Sequence, residues 1–88
     1  MKRYEIVTRG QKARGSGRFK GPDHYIAVLE IPDGVEAPRV LRESVLDRLG
    51  IRKIYIGEYY DAHTGPRSRY ARLMREAREF VARKEAEQ

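Results

Sequence analysis

The stretch whose reading decides the fold is His24–Ile31, "HYIAVLEI". Tyr25, Ile26, Ala27, Val28, Leu29 and Ile31 put apolar groups on both alternating sides of an extended chain. A strand with one wet face alternates apolar and polar residues, and a strand apolar on both sides is buried on both. His24–Ile31 therefore reads as the central strand of a sheet. "PDG" at 32–34 is turn chemistry that ends it.

Upstream, residues 2–8, "KRYEIVT", alternate with Tyr4, Ile6 and Thr8 on one side and Arg3, Glu5 and Val7 on the other, as a short edge strand does. Downstream, residues 37–49 read as a helix with Pro38 in its first turn and Leu41, Val45, Leu46 and Leu49 on one stripe. Gly50 suits the residue just past the helix end, with Ile51 as its hydrophobic partner. Residues 51–60, "IRKIYIGEYY", form a third strand. Strict alternation sends Ile54, Ile56 and Glu58 one way and Tyr55, Gly57 and Tyr59 the other. The last helix runs over 68–86, its stripe made of Tyr70, Leu73, Met74, Ala77, Phe80 and Val81; the tail 84–88 is expected to fray. The order is ββαβα. The first two strands are expected to pair antiparallel. The second and third, joined through a helix, are expected to be parallel with a right-handed crossover. With one apolar stripe per helix, the expectation is an α+β fold: a single small domain over 1–88, with a three-stranded mixed sheet and both helices on one face.

Composition narrows the function classes. The 88 residues contain no cysteine, which excludes disulfides and thiolate metal sites and suits a reducing cytoplasm. The longest apolar run, "YIAVLEI", is far below the ~20 residues a membrane helix needs, so no membrane partner is expected. Nineteen Lys and Arg against thirteen Asp and Glu give a net charge of +6. Residues 1–23 carry seven basic and two acidic groups, 24–66 five and seven, and 67–88 seven and four. Positive charge thus gathers at the chain ends, as in proteins that bind nucleic acid or acidic protein surfaces.

Three features carry the functional expectation. The first is the segment 9–23, a basic glycine-rich loop near the length at which loops are usually functional or disordered. Arg9, Lys12, Arg14, Arg18 and Lys20 supply charge for phosphates, and Phe19 offers a ring to a base or to the core. Neither "GSG" nor "GQKARG" is a phosphate-binding or dinucleotide motif. The second is "HTGPRSRY", 63–70, where Arg67 and Arg69, with Arg72 one turn on, stand at a helix start that ordinarily favours acids. With Ser68 they read as an anion cradle, though Ser68 also suits an N-cap. The third is tyrosine: Tyr25, Tyr55 and Tyr59 are candidates for a stacking platform on an open sheet face, or for a homodimer interface there.

Catalysis finds little support. His24 and His63, near Asp23 and Asp61, fall short of a metal site, and no nucleophile constellation is visible. His63 with Tyr59 or Tyr60, Glu58 and Arg67 would suffice for a metal-free ribonuclease. The leading expectation is a non-enzymatic domain, without cofactor or metal, that binds nucleic acid or a nucleoprotein complex. The alternative is a protein-interaction module, of the phage-type inhibitor or adaptor kind, docking on an acidic or nucleic-acid-binding surface.

Overall fold

The computed structural model describes residues 1–12 and 21–88. Three strands, β1 (Arg3–Gly10), β2 (His24–Ile31) and β3 (Arg52–Tyr59), form one sheet in the order β1-β2-β3. Two helices, α1 (Glu43–Leu49) and α2 (Arg69–Ala86), complete the ββαβα order of an α+β fold. β2 is central, and Ile26, Ala27, Val28, Leu29 and Ile31 are fully buried. Burying each of the larger ones contributes about 1.5–3 kcal/mol against the entropy of ordering the chain.

The sheet is antiparallel throughout rather than mixed, because β2 and β3 run in opposite directions. The connection 32–51 is long enough for a crossover, but Leu46 of α1 and Ile51 pack with Leu29 and Ile31 at the end of β2, so β3 starts there, Arg52 opposite Glu30, and runs back along it.

The helix is short because it starts at Glu43 rather than at 37, leaving Pro38 outside it. Arg42 is its N-cap and makes no side-chain capping bond. Leu41 and Leu46, one residue before the cap and in the second turn, pack in the same cluster as a hydrophobic staple. Glu43 in the first turn complements the helix dipole. The end is as the sequence predicts. Gly50 is left-handed at φ 71°, its N–H donates to the Asp47 carbonyl, and the Ile51 N–H donates to the Leu46 carbonyl.

The helices lie on opposite faces of the sheet, not together on one. Ile26 and Val28 point into a cluster with Leu73 and Ala77 of α2, joined by Tyr4, Ile6 and Ile54. Leu29 and Ile31 alternate with them and pack instead with Leu46, Ile51, Val7, Val35 and Leu41 on the α1 side. A central strand apolar on both sides needs cover on both, so two helices on one face would have left Leu29 and Ile31 in water.

Strict alternation also breaks in β3. Ile26 pairs with Gly57 but Ala27 pairs with Tyr55, so Ile56 is an extra residue in a β-bulge. The bulge returns Gly57 and Tyr59 to the face of Ile54. Gly57 is needed there: a Cβ on it would lie 2.6 Å from Leu73 Cδ2. Tyr59, 3 % exposed, packs beneath α2 with its ring centroid 4.8 Å from that of Tyr70.

α2 begins within one residue of its sequence-predicted start. Ser68 is the N-cap, its Oγ accepting from the Ala71 N–H at 3.2 Å. At the other end the helix continues to Ala86, and the Gln88 amide pairs with the Lys2 main chain, accepting from its N–H at 2.7 Å and donating to its carbonyl at 3.0 Å.

Candidate nucleic-acid interface

α1 is too short to cover its face of the sheet, and the part left open carries the candidate site. Tyr25 of β2 stands at its centre. Tyr25 pairs across strands with Arg9 of β1 and Glu58 of β3. Because the bulge places Tyr55 opposite Ala27, the Tyr25 and Tyr55 rings meet diagonally, with centroids 5.9 Å apart and planes 25° from parallel. Tyr55 is 50 % exposed. Lys53, two residues earlier on the same side of β3, holds its ammonium 5.3 Å from the Tyr25 ring centre. On the other flank, Arg9, Tyr25, Arg39, Val40 and Arg42 line a shallow groove of ≈ 300 Å³. Four cations therefore border Tyr25, against which the Tyr55 ring is stacked.

Tyr59 is not part of this surface. Strict alternation predicts Tyr55 and Tyr59 on one face; the bulge separates them and buries Tyr59, whose phenol is pushed above its ordinary value, chiefly by burial. Arg39, Arg42 and Lys53 are absent from the sequence-derived site. Arg39 and Arg42 precede α1, although the sequence predicts helix over 37–49. Lys53 is discoverable from the sequence, since it shares the alternation of Tyr55.

Of the basic loop, Arg9 belongs to β1, and its Nη1 donates to the Thr8 carbonyl. Lys12 is exposed. Arg14, Arg18, Phe19 and Lys20 lie outside the described residues. The hairpin continues past its strands: the Gln11 N–H donates to the Asp23 carbonyl at 2.9 Å, and Gln11 Nε2 donates to the Pro22 carbonyl at 3.1 Å.

The two basic segments meet at their bases. The Asp61 N–H donates to Asp23 Oδ1 at 2.9 Å, and His24 stands between the two aspartates, its Nδ1 3.1 Å from Asp23 Oδ1 and its Nε2 3.9 Å from Asp61 Oδ1. The hydrogen bond from the Asp61 amide, then that from His24, hold the Asp23 carboxyl below its ordinary value. The loop 9–23 and the segment 63–70 thus leave the same end of the sheet.

At that end the helix start is less of a cradle than its sequence suggests. Ser68 Oγ caps Ala71 and donates to the Gly65 carbonyl at 2.6 Å. Arg69 Nε donates to the Glu58 carbonyl at 2.8 Å, tying α2 to β3. Arg67 and Arg72 are exposed. His63 is exposed too, its ring 5.8 Å from that of Tyr60. Among the described residues, no three His, Cys, Asp or Glu side chains are grouped to hold a metal ion, and no helix is long and apolar enough to cross a membrane.

A larger depression of ≈ 740 Å³ lies at the opposite end, lined in part by Lys2, Tyr4, Glu30, Arg52 and Lys84. Its charges answer one another: Lys2 Nζ is 3.0 Å from Glu30 Oε1, and the Tyr4 hydroxyl donates to Glu30 Oε2 at 3.3 Å. The Lys2 hydrogen bond is the main cause holding Glu30 below its ordinary value.

No family model matches the chain, and neither a curated protein nor a solved structure matches it.

Proposed function

We propose that this chain is a non-enzymatic domain that binds nucleic acid chiefly through the phosphate backbone. The observation that carries the reading is the gathering of Arg9, Arg39, Arg42 and Lys53 around Tyr25, beside the half-exposed Tyr55. These cations come from β1, β3 and the segment before α1, so only the fold brings them together. The net charge of +6 favours approach of a polyanion, and clustered cations hold it by releasing its counterions. Arg14, Arg18 and Lys20 of the segment after β1 supply further cations by sequence.

Salt dependence tests this. If four to six phosphates are neutralised, log K against log salt falls with a slope of about −3.5 to −5.5 on duplex DNA. A flat response overturns the proposal. Replacing Arg39 and Arg42 by alanine weakens binding and leaves the circular dichroism unchanged; unaltered affinity removes this face as the contact. The competing protein-docking function is tested by affinity capture. A protein partner recovered undiminished after complete nuclease digestion favours that function instead.

A further inference from the structure

We infer that the polynucleotide this face takes is single-stranded, with a base stacked on the Tyr25–Tyr55 pair and its backbone along the Arg9–Arg39–Arg42 groove. The inference rests on the proposed nucleic-acid binding and names which form is bound. In a duplex the flat faces of the bases are covered by their neighbours, and only edges and phosphates are offered. A single strand offers ring faces, which aromatic side chains on an open sheet take up regardless of base identity. The two tyrosines are arranged for that use. Their planes are within 25° of parallel, they sit diagonally on adjacent strands, and Tyr55 is half exposed.

Charge orients the strand across the face. Arg9, Arg39 and Arg42 lie together on the β1 flank of Tyr25, whereas the β3 flank offers Lys53. Phosphates are attracted most to the three arginines, so the bases point from the groove towards Tyr55. The long helix offers a duplex groove nothing comparable. On α2, Arg72, Arg75, Arg78 and Arg83 are interleaved with Glu76, Glu79 and Glu85. Arg83 and Lys84 also lie over the Phe80 ring, at 5.8 and 5.6 Å from its centre.

The test is a set of anisotropy titrations of the full chain with fluorescein-labelled oligo-dT, oligo-rU, a duplex of equal length, and heparin as a charge-only competitor. At least one of the two single strands binds more tightly than the duplex and quenches tyrosine fluorescence; which of them does so identifies DNA or RNA. Tyr55→Ala weakens that binding between about 5- and 150-fold, the loss of one stacked base, and Tyr55→Phe restores it. Circular dichroism shows that both variants are folded. Equal affinity for single strand and duplex, with no effect of Tyr55→Ala, overturns the stacked strand while leaving phosphate binding in place. Failure of every nucleic acid to bind, or displacement by heparin at equal charge with no preference for nucleic acid, overturns the proposed function itself.

Discussion

The two faces of the sheet are finished differently. Beneath α2, eighteen helical residues cover Ile26, Val28, Ile54 and Tyr59, and Gly57 lets the helix approach until Leu73 fills the place of a side chain. Beneath α1, seven residues cover only Leu29, Ile31 and their neighbours, leaving Tyr55 half exposed among lysine and arginine. One face carries the larger apolar cluster, and the other leaves part of its surface open, where nucleic-acid binding is proposed.

Leu73→Ala should break this contrast most severely, because it empties the contact over Gly57. The expected loss is about 2–5 kcal/mol in denaturant unfolding, and a loss no greater than that of an exposed substitution would show that α2 is not the principal cover. Gly57→Ala comes next. Its new Cβ meets the buried Leu73 side chain, and overpacking of this kind costs about 1–3 kcal/mol. The two changes should be strongly non-additive, since each relieves the other, and a double-mutant cycle measures this.

Ser68→Ala removes the N-cap of α2 and should cost about 1 kcal/mol, read from the unfolding midpoint; no change would mean that water satisfies the Ala71 N–H equally well. On the open face, Tyr55→Ala should alter stability by less than about 0.5 kcal/mol, and a larger loss would make that tyrosine part of the core. The smallest effect is at the junction of the two basic segments. Asp23 has a depressed folded pKa, so its contribution is complete at neutral pH and is lost as pH falls through that depressed value, below the ordinary aspartate range. The melting advantage of the native chain over Asp23→Ala should therefore shrink in acid. An advantage independent of pH would show that the Asp23 charge is not what holds Asp61.

Much of this architecture is legible in the chain. "HYIAVLEI" announces a central strand, and Ser68, the 70–81 stripe and the Gly50–Ile51 pair mark helix ends and faces that the structure keeps. The structure departs from strict periodicity where one residue changes the period. Ile56 as a bulge reverses the side on which Tyr59 falls, and the periodic pattern of β3 contains nothing that marks it except the glycine beside it. Pro38 fits a first turn as well as a bend, and the structure starts α1 at Glu43 with Leu41 packed against the cluster that holds Leu46. Arg39 and Arg42 reach the groove from the segment before α1, a placement that helical periodicity does not give.

By itself the sequence determined the elements, their order, the positive charge and the absence of thiol chemistry, all of which follow from local composition and periodicity. Tertiary structure alone decided the strand directions, the face each helix covers and the company Tyr25 keeps. Those depend on where α1 packs against the end of β2, on how a glycine admits Leu73, and on which distant cations a bulge and a bend bring beside a ring. Such distances are not written in the spacing of residues along the chain.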